Sequence, residues 1–93
     1  MPPRIVYRVH AIARMFERGI SEAEVQDALE TGETIERYPD DTPYPSRLVL
    51  GWYGGRAIHV VAADNLEEDE TIVVTVYEPD PTLWEPGFRR RKP

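Results

Sequence analysis

The stretch His10–Leu29, HAIARMFERGISEAEVQDAL, decides how the rest of the chain is read, because it encodes two short helices joined at a glycine. Ile12, Met15 and Phe16 recur on one side of the first segment, while His10, Arg14 and Arg18 recur every fourth residue on another. The spacing predicts a packed apolar side and a wet polar side. Gly19 ends this helix where a left-handed residue costs least. Ser21 then serves as N-cap of the second, Glu24 closes a capping box, and Ile20 and Val25 hold the two positions of a hydrophobic staple. Glu22 and Glu24 favour the positive end of the helix dipole. Helices are expected over His10–Arg18 and Glu22–Thr31, with Gly32 as the stop.

Outside this stretch the pattern turns to sheet. Arg4–Val9 alternates weakly and reads as an edge strand or an extended lead-in, and Thr34–Tyr38 reads as a short strand. Pro39–Pro45 holds three prolines and two acids and must be a surface loop. Ser46–Tyr53 and Arg56–Ala63 are joined by Gly54-Gly55, the composition of a two-residue hairpin turn with positive φ. That turn sets Tyr53 opposite Arg56, Leu50 opposite His59 and Val49 opposite Val60. After an acidic loop, Asp64–Glu70, the run Thr71–Tyr77 is expected to return antiparallel.

Sorted by face, Val49, Ile58, Val60, Ala62, Ile72, Val74 and Val76 form an apolar side that should receive the helices. The reverse side carries Leu48, Leu50, Trp52, Ala57, His59, Val61, Val73, Thr75 and Tyr77, an apolar ground on which imidazole, hydroxyl and phenol converge. Arg47 and Arg56 point the other way, near strand ends where they can curl round an edge. The expected fold is α+β: a single domain over residues 1–93 with two N-terminal helices packed on one face of an antiparallel sheet of about four strands. Leu83, Trp84 and Phe88 are too apolar for a free tail and should lie back over the sheet, near Leu48 and Leu50. Residues 1–3 and the basic end, 89–93, are expected to be disordered.

Composition narrows the function. Ninety-three residues without cysteine leave no room for separate catalytic and binding domains, and no thiolate for a disulfide, a metal or a nucleophile. A net charge of −6 disfavours broad binding to nucleic acid, although Arg4, Arg8, Arg14 and Arg18 gather near the start and Arg89-Arg90-Arg91-Lys92 at the end. The acidic runs, Glu22–Asp41 and Asp64–Glu70, read as solvated surfaces. There is no apolar run of membrane-spanning length and no secretion signal, so a cytoplasmic protein without a membrane partner is expected. No His-x-x-x-His spacing, phosphate-cradling loop or dinucleotide fingerprint occurs, so neither metal nor cofactor is expected.

Taken in order, His10-Ala11, Arg14-Met15, Glu17-Arg18-Gly19-Ile20-Ser21, Tyr38-Pro39-Asp40-Asp41, Arg47-Leu48-Val49-Leu50-Gly51, His59-Val60-Val61 and Thr75-Val76-Tyr77-Glu78-Pro79 resemble the uncharacterised family called domain of unknown function 4258. That family looks like a distant relative of the RelE-like toxins, small ribonucleases with two helices packed on an antiparallel sheet. The resemblance implies the toxin half of a toxin–antitoxin pair, with RNA as substrate and an antitoxin protein as partner, in some members a zinc-finger one. The lysine-rich site of some such toxins is missing, since Lys92 is the only lysine.

A ribonuclease built from these residues must therefore use histidine, arginine and tyrosine. Cleaving RNA through its own 2′-hydroxyl needs a base, an acid and cations for the phosphate, and no metal. His10 and His59 are the only histidines and suit the first two roles, with Tyr77 to stack on a base or give a proton. Arg14, Arg18, Arg47 and Thr75 complete the candidate set as substrate-binding groups. For the pair to act together, His10 or Arg14 must reach the His59 face round a sheet edge. Each also has a structural reading: His10 bonded to backbone at a helix start, His59 bonded to Thr75 or Tyr77, and Arg14 paired with Glu17, Asp40 or Asp41. The competing function is a non-catalytic protein-binding module. A free sheet edge would also allow a homodimer.

Overall fold

In the computed structural model, which describes residues 3–93, the elements run β1 (Arg4–Tyr7), α1 (Val9–Arg18), α2 (Glu22–Thr31), β2 (Glu33–Tyr38), β3 (Ser46–Tyr53), β4 (Arg56–Asn65) and β5 (Glu70–Tyr77). One sheet contains all the strands in the order β1-β5-β4-β3-β2. The α+β class is as expected, but the sheet has five strands and is mixed, because β1 pairs parallel to β5 while every other neighbour is antiparallel. The weak alternation at the N-terminus is enough for an edge strand: Ile5 and Tyr7 pack against the core, and Arg4 forms an ion pair with Glu70. Of residues 1–3, expected to be disordered, Met1 and Pro2 lie outside the described residues.

The helix signals act as the sequence implies. Gly19 takes φ 63° and ends α1. The Ser21 hydroxyl accepts from the Glu24 amide at 3.2 Å, and the Glu24 carboxylate accepts from the Ser21 amide at 2.7 Å, closing the capping box. The packed side of α1 differs from expectation. Ala11 and Met15 are buried, whereas Ile12 and Phe16 are 54% and 90% exposed. Ala11 lets the helix approach β5 closely, and a ridge four residues long through Ala11 and Met15 turns Ile12 and Phe16 outward.

The β3–β4 hairpin has the register its Gly-Gly turn dictates, with Tyr53 opposite Arg56, Leu50 opposite His59 and Val49 opposite Val60. The β4–β5 ladder departs from strict alternation. Val61 pairs with Thr75 but Ala62 pairs with Val73, so Val74 is the extra residue of a β-bulge. Val73 therefore joins the core beneath the helices with Val49, Ile58, Val60, Ala62 and Val76, and Ile72 and Val74, expected there, do not.

The reverse face is half covered. After β5 the chain folds back, burying Trp84 at 3% exposure. Residues 89–93, expected to be disordered, are instead drawn into this cover: Glu85 N–H donates to the Arg90 carbonyl, Lys92 N–H donates to that of Leu83, and Arg89 pairs with Glu33 at 2.8 Å.

Candidate functional site

Two regions of the reverse face carry polar groups, and they differ in access. The first lies under the C-terminal segment. His59 is completely buried, its Nε2 2.9 Å from the Phe88 carbonyl and its Nδ1 3.2 Å from the Tyr77 hydroxyl. A carbonyl only accepts, so Nε2 carries the proton and Nδ1 accepts from Tyr77. The ring also meets the edge of Trp84, at 4.5 Å between centroids, and of Tyr77, at 5.2 Å. Burial lowers the imidazole pKa, the Phe88 hydrogen bond opposes that shift, and the charge of Arg91 adds to it. Burial likewise raises the Tyr77 phenol. His59 is thus neutral, hydrogen-bonded at both nitrogens and shut off from water.

The second region is an open cavity of about 410 Å³, lined by Arg8, His10, Asp41, Thr42, Pro43, Tyr44 and Ser46 over a floor of Val61, Ala63 and Val74. Its position follows from strand lengths. β1 has four residues against the eight of β5, so pairing stops at Tyr7–Val73 and the Arg8 amide makes a last bond to the Val73 carbonyl at 3.1 Å. The chain then turns into α1, and at that corner Arg8 and His10 come round the sheet edge to the reverse face. The bulge supplies Val74 to the floor. Opposite, the proline-rich loop forms the far wall, held by a 2.5 Å bond from the Ser46 hydroxyl to Asp41 and a 3.1 Å bond from Asn65 to the Tyr44 oxygen. Since Asn65 donates to that oxygen, the Tyr44 proton is free to be given elsewhere.

Of the residues singled out in the sequence, His10 thus reaches the reverse face and lines the open cavity, whereas His59 does not line that cavity and is buried beneath Phe88. Tyr77 stays with His59. Thr75 lies between the two regions, opposite Val61. Arg14 pairs with Glu17 at 3.2 Å, not with Asp40 or Asp41. Arg18 is exposed, and its carbonyl accepts from Arg56 at 2.8 Å. Arg47 is bound to Asp64 at 2.9 Å, opposite Ala62 on the helix side. Arg8, Tyr44 and Ser46, which line the same cavity as His10, are not among the candidates the sequence offers. The available signal was the junction Tyr7-Arg8-Val9-His10, where a strand passes directly into a helix and exposes both polar side chains.

Among the described residues no group of three or more histidines and acids is placed to hold a metal, and no helix is long and apolar enough to cross a membrane. The described residues form a small α+β domain with an open cleft, polar groups on its walls over an apolar floor, at the edge of a mixed sheet. Residues 7–78 match the family described as a domain of unknown function (DUF4258), and the chain belongs to that family. The match includes His10, Arg14, His59 and Tyr77 and ends as the C-terminal cover begins. Neither curated proteins nor solved structures yield a match.

Proposed function

We propose that this chain is a metal-independent endoribonuclease of the toxin–antitoxin kind, acting at the cleft that contains His10. The observation that carries the reading is the convergence of His10 and Arg8 over an apolar floor, in an open cavity roomy enough for a nucleotide. His10 is the base that takes the 2′-hydroxyl proton, and Arg8 meets the charge that grows on phosphate. Tyr44 protonates the leaving 5′ oxygen, since its own oxygen is already supplied by Asn65. Arg14 and Arg18 repeat along α1 from His10 and extend the cationic side toward a longer RNA. Two helices over a mostly antiparallel sheet fit the RelE-like relationship that the sequence resemblance implies. A cytoplasmic location and an antitoxin partner go with this reading.

The test is direct. Incubated with single-stranded RNA in the presence of a chelator, the protein should yield 2′,3′-cyclic phosphate and 5′-hydroxyl ends, and His10→Ala should slow cleavage by roughly 10²–10⁴-fold. Absence of cleavage at any ionic strength, or an unchanged rate in that variant, would overturn the assignment.

A second reading has its own support. Val9, Ile12 and Phe16, at 84%, 54% and 90% exposure, line up along α1 as an exposed apolar stripe. Such a stripe fits a protein-binding module, with or without catalysis. Co-expression with the product of an adjacent gene, followed by isolation of a stable complex that Phe16→Ser disrupts, would support it; a wild-type protein that stays alone would not.

A further inference from the structure

We infer that residues 79–92 are a strap that covers half of the catalytic face, keeping His59 and Tyr77 from RNA until it lifts; this rests on the ribonuclease reading above. Several observations point the same way. The family-matched part of the chain ends at residue 78, so His59 and Tyr77 belong to the shared domain and the cover over them does not. Among the described residues, the backbone hydrogen bonds made by the cover outside regular strands stay within it: Leu83 and Trp84 to Asp80, Glu85 to Arg90, Phe88 to Glu85 and Lys92 to Leu83. A segment bonded to itself can move as a unit.

Its attachment to the sheet runs through side chains. The Phe88 carbonyl accepts from His59, Trp84 packs on the same imidazole, Phe88 leans on Trp52 at 6.0 Å, and Arg89 pairs with Glu33. Aiming the Phe88 carbonyl at His59 requires a strained turn, since Phe88 itself takes φ 59° just after Gly87 at 90°. A bulky side chain in the left-handed region is costly, and release removes that cost. Pro79 and Pro81 follow closely after β5 ends at Tyr77 and keep the strap from extending the strand.

Lifting the strap would join two surfaces. His59 lies two residues along β4 from Val61, whose side chain floors the open cleft, so an uncovered His59 would continue that cleft. Uncovered, its imidazole takes a proton from water near neutral pH. In the open form it can hand that proton, in place of the Tyr44 phenol that serves the closed form, to the 5′ oxygen as the P–O5′ bond breaks, while the 2′ oxygen, deprotonated at His10, bonds to phosphorus. The closed form would thus have one histidine in play and the open form two.

The experiment uses the full chain. Native-state amide exchange should show Trp84, Phe88 and Lys92 opening while Val60 and Val76 stay protected. Carbethoxylation read by mass spectrometry should modify His59 in folded protein, and Trp84→Ala and the milder Arg91→Ala should speed this roughly tenfold with β4 protection retained. If His59 and the strap amides open only with Val60 and Val76, the strap is part of the core and the inference is overturned, whether or not Trp84→Ala folds. In the RNA assay, wild-type cleavage dependent on His10 that rises in Arg91→Ala supports the inhibition. Cleavage that depends on His10 but is unmoved by strap opening overturns it. No cleavage by any form, with the strap shown to open, overturns the ribonuclease reading instead.

Discussion

Ala28 of α2 rests directly on Gly51 of β3, so closely that a Cβ added at Gly51 would stand 2.4 Å from the Ala28 Cβ. The helix is seated on bare backbone there. Gly51→Ala should therefore lower stability by about 1–3 kcal/mol through overpacking. Denaturant titration should show the loss, and Ala28→Gly in the same chain should recover part of it, because the two positions share one contact.

Stability should fall on acidification through His59. The imidazole titrates at an ordinary value of 6.5 when unfolded, and burial lowers that value in the folded protein. As pH drops below about 6.5 the unfolded chain binds the proton more readily, so folding weakens from there down to the depressed folded value and the loss then levels off. Above about 6.5 the contribution is intact. Thermal melts of wild type and His59→Gln across pH 5 to 8, an interval chosen to span roughly the histidine range, should differ in slope only in the lower half.

The capping box makes a separable contribution. Ser21→Ala removes the acceptor for the Glu24 amide and should cost about 1 kcal/mol. Adding Glu24→Ala should cost less than the sum of the two single changes, since each residue caps the other. Chemical denaturation of the three variants checks this.

Tyr44 can be tested by its leaving group. Tyr44→Phe should slow cleavage of ordinary RNA by about 10²-fold or more. A substrate with sulfur in place of the 5′ oxygen leaves without a proton and should be cut by both forms at similar rates. Equal slowing on both substrates would remove Tyr44 from the acid role.

Phe16→Ser should leave folding within about 0.5 kcal/mol of wild type, since the side chain is 90% exposed. The same change should weaken any complex formed through α1. Parallel denaturation and pull-down measurements separate the two effects.

The parts of this fold that were legible in the sequence are those set by local chemistry. Gly54-Gly55 determines its hairpin register, and Ser21 with Glu24 determines a helix start, because a few adjacent atoms decide each. The inward residues of α1 were misjudged because hydrophobicity ranks Phe16 above Ala11, whereas close packing on β5 selects the small side chain. The faces of β5 were misjudged at Ile72, Val73 and Val74 because all are apolar and β-branched, so nothing local marks the bulge. The lining of the open cleft was legible only in part. His10 was found, but its neighbours Arg8, Tyr44 and Ser46 come from a chain corner and a loop that meet only in three dimensions. His59 was recognised as special, while the bond that seals it comes from a carbonyl at Phe88, and backbone groups have no signature in sequence.

The pairing of β1 with β5 brings nearly the first residues described into register with Glu70–Val73. During synthesis the N-terminal segment must wait, unpaired, until most of the chain has emerged from the ribosome. Arg8 and His10, placed by that last docking event, come together with the Tyr44 loop only in a finished molecule. A nascent chain stalled ahead of Glu70 should thus show no amide protection at Ile5–Tyr7 and no assembled cleft.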